Sequence, residues 1–223
     1  MRYDFIIIGG GIAGASAAYR LALHGSVALL EMEDQPGYHS TGRSAAQFTE
    51  LYGKGPIRAL VRLSKDFLVS PPEGFTDAPI LTPRGAMFVA TDAQRPVIDA
   101  FVAMAAEENC PVSELDVAGA RGIVPVLRAE AFDSAVLEPE STDMDVHALH
   151  GGFLRGTRSR GGDIITNAEV MGLTRQGGVW RVETPAGGFE APVVVNAAGA
   201  WADVVAERAG VGNVGLTLSL IHI

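Results

Sequence analysis

The sequence is poor in cysteine, in positive charge and in long apolar runs, and each shortage excludes something. Cys110 is the single cysteine, so there is no internal disulfide and no cysteine-based metal site, and a reducing compartment suits the chain. Beside an expected helix end, Cys110 reads as a small apolar residue. No stretch reaches the ~18 consecutive apolar residues of a membrane-spanning helix. Lys and Arg number 17 against 26 Asp and Glu, a net charge of −9, which argues against nucleic acid or an anionic membrane as a partner. The apolar N-terminus reads as a buried first unit rather than a secretory signal, since Asp4 breaks its basic start and glycines and Arg20 interrupt the apolar run. A cytoplasmic location is therefore expected.

What is present is a chain rich enough in apolar residues to fold. With 48% hydrophobic and 19% charged residues, 223 residues can bury a core in one large or two small domains. Residues 4–31 organise the rest. Phe5-Ile6-Ile7-Ile8 is wholly apolar, as a parallel strand covered on both faces must be. Gly9-Gly10-Gly11-Ile12-Ala13-Gly14 follows directly as G-x-G-x-x-G. In that pattern Gly9 permits the tight turn, Gly11 lets backbone N–H groups approach a pyrophosphate, and Gly14 lets the helix lie close on the strand. The Ala-rich, Pro-free run Ile12 to His24 predicts a helix, with Gly25 as its left-handed cap. Val27 to Leu30 predicts the second strand, and Glu31 closes it, 20 residues after Gly11. A carboxylate there can accept from both hydroxyls of an adenosine ribose.

Downstream, Ser40-Thr41-Gly42-Arg43-Ser44-Ala45-Ala46 is a small, hydroxylated segment with one cation, suited to phosphate and ring contacts. Spacing predicts an amphipathic helix behind Pro56 with Ile57, Leu60, Val61, Phe67 and Leu68 on its apolar face. A strand is expected at Ala86–Ala90, a helix capped by Asp92 through about Asn109, and a short helix within Ser113–Arg121. A strand at Ala135–Glu138 and a helix from Val146 to Arg160 follow. His147 and His150 on that helix read as surface residues without further metal ligands, and Arg155, Arg158 and Arg160 as a solvated face complementing the helix dipole. Strands at 163–170, 171–175, 179–184 and 188–191 are joined by Gly-Gly turns. Val193 to Ala197 is another buried strand, and Ala198-Gly199-Ala200 turns into a helix over Trp201–Ala209 capped by Gly210.

GGGIAGAS, LEMEDQPGYHSTGRSAAQF, VPVLR (124–128), the D-x-D-x-x-A-L-H-x-G-x-L-R-G run from Asp143 to Gly156, and VVVNAAGAWAD together resemble the flavin-dependent amino-acid oxidase/dehydrogenase superfamily. Within it, the chain is most similar to D-arginine dehydrogenase-like members, over essentially residues 1–217. The resemblance implies an α/β fold. A Rossmann-like FAD-binding domain (1–50 and 146–217, a parallel sheet with helices and a three-stranded β-meander) would carry an inserted α+β substrate domain (51–145). It implies FAD held by Gly9, Gly11, Ile12, Ala13, Gly14, Glu31, Met32, the segment Ser40 to Gln47, Val170 against the adenine, and Ala198 and Gly199. It also implies oxidation of the CH–NH2 group of a D-amino acid or related amine to an imine by hydride transfer to the flavin, with oxygen, a quinone or another acceptor restoring it. Gln47 and Tyr52 would lie near the substrate, Gln47 standing where arginine-type members have a histidine. Arginine-preferring members also carry an acid just before the strand at Met87–Ala90, where this chain has Gly85-Ala86. An NAD-dependent dehydrogenase accounts for Gly9 to Glu31 but leaves Ser40–Gln47 and Asn196–Ala200 unexplained; a non-catalytic flavoprotein is the other reading. The family continues differently past Thr217. Leu218 to Ile223 matches a translated sequencing adapter, so 218–223 is expected to be a non-native tail and the chain as written truncated, poorly stable and inactive by itself.

Overall fold

A computed structural model describes residues 1–216; Thr217 and the expected tail, 218–223, lie outside the described residues. In chain order the elements are β1 (Phe5–Ile8), α1 (Ile12–Leu21), β2 (Val27–Leu30), β3 (Gln47–Phe48), α2 (Gly55–Val69), β4 (Leu81–Pro83), β5 (Ala86–Ala90), α3 (Arg95–Glu107) and β6 (Ser113–Leu115). There follow α4 (Val117–Ile123), β7 (Ser134–Glu138), β8 (Thr142–Met144), α5 (Val146–Ser159), β9 (Asp163–Ile165), β10 (Gly172–Gln176), β11 (Val179–Thr184), β12 (Gly187–Ala191), β13 (Val193–Asn196) and α6 (Ala202–Arg208). They form two compact units. The first takes Met1–Ala45, Glu73–Ala78 and the described residues from Val146 onward; the second takes Ala46–Pro72 and Pro79–Asp145. Residues 46–50 thus pack with the second unit and 73–78 with the first.

The first unit is built on a parallel sheet in the order β13-β1-β2-β9. Its central strands are apolar on both faces because both are covered. Ile6, Ile8, Ala28 and Leu30 pack against Leu173, Val182 and Phe189 of the β10-β11-β12 meander. Ile7, Val27 and Leu29 face the other way, onto Ala18 of α1. Asp4 fastens the start of both strands by accepting from the Ser26 N–H and hydroxyl, each at 2.7 Å. Helix α5 lies along α1, and the contact depends on Gly156: a Cβ there would stand 2.3 Å from the Tyr19 ring.

The second unit holds two antiparallel sheets, β3-β8-β4 and β5-β7-β6. Ile98 of α3 packs on Ala90 and Val136, and Ala120 of α4 on Phe132 and Ala135. Glu138, on β7, is buried. It accepts a hydrogen bond from the Thr49 hydroxyl, while its Oε2 has no hydrogen-bond partner among the described residues. Burial, then the neighbouring Glu140 and Glu50, push its carboxyl above the usual range, against the Thr49 bond.

Several local expectations change. Gly25 is not a left-handed cap: α1 ends at Leu21 with Ala22 in right-handed geometry, and Gly25 is required because a Cβ would meet the Asp4 carboxylate at 2.7 Å. The cap before α3 is Thr91, in a capping box with Gln94, rather than Asp92. Residues 113–121 open as strand β6 before Asp116 caps α4 through the Gly119 N–H. The expected strand at 163–170 stops at Ile165, where β9 loses its pairing with β2. His150 is buried, not on the surface. Arg155 donates to the Phe75 carbonyl and Arg160 lies 3.7 Å over the Tyr19 ring, so neither is simply solvated. Ile57 and Leu60, expected on an apolar face of α2, are exposed. Gly210 does cap α6 with φ +66°.

Candidate cofactor site

The four parallel strands end flush: Ile8 is in register with Leu30 and with Asn196, and Leu30 with Ile165. Their carboxyl ends therefore deliver Gly9, Glu31, Ala168 and Ala197 to one edge, where open α/β sheets bind ligands. A cavity of about 460 Å³ opens there, lined by Gly9, Gly11–Ala13, Glu31, Met32, Ser40, Thr41, Val170, Ala198 and Gly199 among others.

The glycines are required by contact. Gly9 has φ +106°, and a Cβ on it would stand 2.4 Å from the Ala197 carbonyl oxygen. A Cβ on Gly14 would stand 1.8 Å from the Gly9 oxygen, so the first turn of α1 can lie on β1 only without a side chain there. At Gly11 the nearest atom to an added Cβ is Thr41 Oγ1, at 3.2 Å. That Cβ would occupy cavity space rather than protein. The N-terminal N–H groups of α1 have no partners within the helix and carry the positive end of its dipole; the Ile12 N–H is taken by Thr41 Oγ1 at 2.9 Å.

Glu31 is buried, and its two oxygens accept from the Gly10 N–H at 2.7 Å and the Glu33 N–H at 3.0 Å. Each oxygen keeps a second acceptor site, so the carboxylate can still take ribose hydroxyls, and its charge opposes a 2′-phosphate. Helix-terminal N–H groups beside the cavity, space in place of a Cβ, and a buried acid at the second strand end fit the adenosine diphosphate half of FAD.

The remaining expected residues are less uniform. Ser40 and Thr41 line the cavity. Gly42 tucks against the Gly37 carbonyl, where a Cβ would be 2.7 Å away, and the Arg43 guanidinium sits 4.8 Å over the Tyr38 ring. Ser44 and Ala45 are exposed. Ala46 and Gln47 belong to the second unit, so the 40–47 segment does not act as one piece of cavity wall. Ala46, at φ +53°, accepts from the Met144 N–H at 2.7 Å, and Gln47 donates to Ser141 Oγ at 2.7 Å. Tyr52 is 69% exposed, as a residue free to meet a ligand would be.

Sequence reasoning missed part of the wall. His39 hydrogen-bonds Glu33 at 2.8 Å and packs against Trp201, with ring centroids 4.6 Å apart and planes tilted by 52°. Arg208 donates to the Val170 carbonyl and pairs with Glu169 at 3.2 Å, tying α6 to the loop after β9. Arg208 gave no motif, and Trp201 and His39 carried signal only as aromatics beside glycine-rich turns.

Comparison with known proteins agrees with this geometry. The family model described as FAD dependent oxidoreductase matches residues 4–219. The chain is 27% identical over 217 residues to mitochondrial dimethylglycine dehydrogenase of Rattus norvegicus, covering 95% of this chain and 25% of that protein. It is 30% identical over 223 residues to sarcosine oxidase subunit beta of Rhizobium meliloti, covering 93% and 52%. Glycine oxidase from Geobacillus kaustophilus superposes with a TM-score of 0.84 at 25% identity, over 98% of this chain and 60% of that one. The chain thus spans a quarter to about half the length of these curated relatives, none of which is a D-arginine dehydrogenase. With FAD as the family's cofactor, the NAD-dependent reading falls away. A sheet edge shaped for a dinucleotide and a match across residues 4–219 lead to one conclusion: the chain belongs to the FAD dependent oxidoreductase family.

Proposed function

We propose that this chain forms the FAD-binding and substrate-facing part of an enzyme that oxidises the CH–NH2 group of a small, neutral D-amino acid. The cavity at the sheet edge, with Gly11 open to it and Glu31 at its floor, is the observation that carries the reading. Bound FAD would supply the acceptor for the two electrons that leave the carbon–nitrogen bond. In this reading the first unit is the FAD-binding domain. The N–H groups of Gly11 and Ala13 hold the pyrophosphate, Glu31 holds the ribose, and Val170, Ala198 and Gly199 enclose the adenosine. Gln47, whose amide is oriented by Ser141, and the exposed Tyr52 are the residues assigned to substrate contact.

Two observations support a neutral substrate. The relatives named above act, by their names, on glycine, sarcosine and dimethylglycine, which carry no charged side chain. Where arginine-preferring members are expected to have an acid, this chain has Gly85-Ala86. The fold adds a nuance, because Glu138 is directly across from Ala86 in the β5–β7 register. Its carboxyl is buried and already bonded to Thr49, and burial raises its pKa, so holding it as an anion against a guanidinium carries a desolvation cost.

The proposal assigns cofactor retention to these residues and turnover to a longer chain that carries them. Anaerobic mixing of such a flavin-loaded chain with D-alanine, L-alanine, sarcosine and D-arginine, read as loss of flavin absorbance, tests it. Fastest bleaching by the neutral D-amino acid is expected. D-arginine giving the highest kcat/KM would overturn the substrate assignment. A bound flavin that no amine bleaches would leave the non-catalytic flavoprotein.

A further inference from the structure

His150 lies on α5, outside the glycine motif in sequence, yet its ring reaches the loop that carries that motif. Its Nε2 is 2.8 Å from the Gly10 carbonyl oxygen. A carbonyl only accepts, so Nε2 carries the proton and donates. The ring is buried and pinned from the side by Gly37, which sits at φ +84° and where a Cβ would stand 2.9 Å from His150 Cε1. Gly10 is held from its other end as well, since its N–H donates to Glu31 Oε2 at 2.7 Å. Gly10 has no room for a side chain either: a Cβ would meet Glu31 Oε2 at 2.8 Å and Pro36 Cβ at 2.9 Å.

The peptide bonds here are trans, and in a trans peptide C=O(i) and N–H(i+1) point in opposite directions. The Gly9 carbonyl is turned onto Gly14, so the Gly10 N–H points away from it, into the Glu31 carboxylate. One peptide further, the Gly10 carbonyl is turned onto His150, so the Gly11 N–H points away from that ring, and Gly11 itself lines the cavity. Without a donor at His150, the Gly10–Gly11 peptide is free to rotate about its flanking glycine torsions, which glycine resists little.

We infer that His150 is a positioning residue for the cofactor: it fixes the Gly10–Gly11 peptide so that the Gly11 N–H meets the pyrophosphate. The inference rests on the FAD reading of the cavity. It makes the effect of His150 specific to the phosphate part of the ligand, which a role in α5 packing alone would not be.

Calorimetric titration of the 223-residue chain with ADP and with adenosine separates the possibilities. His150→Leu should weaken ADP binding by about tenfold, the worth of one oriented hydrogen bond to a charged group, and leave adenosine within about twofold. His150→Gln, whose side-chain amide places an N–H near the Nε2 position, should recover most of the ADP affinity. Equal losses for both ligands, no loss for ADP, or no recovery with glutamine would overturn the inference. Should His150→Leu fail to fold, amide NMR of the wild type decides. The Gly11 N–H resonance must then move with ADP and stay with adenosine, and an unmoved resonance would overturn the inference as well. A wild-type chain that binds neither ligand overturns the cavity reading itself, and this inference with it.

Discussion

Replacing Gly14 by alanine separates folding from cofactor binding most sharply. The added Cβ would stand 1.8 Å from the Gly9 carbonyl oxygen and 3.3 Å from Ile7 Cγ2, where ordinary contact begins near 3.4 Å. To relieve the oxygen contact, α1 must withdraw from β1 by about 1.6 Å. That movement also disturbs the neighbouring contact with α5, where Gly156 admits the Tyr19 ring with no Cβ to spare. Overpacking of this kind costs about 1–3 kcal/mol, occasionally more; with the β1 and α5 contacts of α1 both disturbed, about 3 kcal/mol is expected. For a chain of this size each kcal/mol lowers Tm by roughly 2–4 °C, so Gly14→Ala should melt about 6–12 °C below wild type without any ligand. Gly11→Ala is the control. Its backbone, at φ −72°, suits alanine, and its Cβ would enter the cavity, so Tm should move by no more than about 2 °C while FAD affinity falls. Melting curves of the two apoproteins and FAD titrations test the pair. A Gly14→Ala protein that melts with the wild type, or a Gly11→Ala protein that binds FAD as well as the wild type, would refute the reasoning.

Glu31→Gln replaces one acceptor oxygen by a donor, so either the Gly10 or the Glu33 N–H loses its partner; a loss of about 1–3 kcal/mol in stability and faster loss of FAD on dialysis should both follow, and unchanged flavin occupancy would count against the ribose role. The Tyr3 hydroxyl, partly buried and bonded to Asp163 Oδ2 at 2.8 Å, has its pKa pushed up to about 12, chiefly by burial. A raised pKa means that the stability it carries is complete below about pH 10 and is lost as pH rises toward 12; ultraviolet titration should show one late-ionising tyrosine that Tyr3→Phe removes. The Glu138 carboxyl is also raised, so its stabilising contribution is present in acid and lost as pH rises through its folded pKa. Glu138→Gln should therefore melt above the wild type at neutral pH, with the gap closing in acid, and a gap that widens on acidification would contradict the burial argument.

The first strand–turn–helix–strand unit was legible because every cue in it is local. A fully apolar strand, spaced glycines and a terminal acid all fall within residues 4–31, although some contacts that require them, such as Gly9 against Ala197, come from far along the chain, and the observed β2 matches Val27 to Leu30 residue for residue. The β-meander was legible for the same reason, through its Gly-Gly turns. What escaped depends on contacts far along the chain. Gly25 carries a cap signal in sequence, but its need is set by Asp4 across the strand start. His150 sits 140 residues from the carbonyl it holds, and on a helical wheel nothing separates it from the exposed His147. Strands β3, β4 and β8 run for two or three residues each, too short for alternation to register. The acid across from Ala86 was invisible because cross-strand register, not spacing, brings Glu138 there.

The central claim is that the cavity at the carboxyl ends of β13, β1, β2 and β9 holds the adenosine diphosphate half of FAD. Titrating FAD into the flavin-free chain and following flavin fluorescence, with ADP and riboflavin as competitors, tests it most directly. The account predicts one FAD per chain, displaced by ADP and not by riboflavin. Displacement by riboflavin alone, or no binding of FAD by a folded chain, would contradict it.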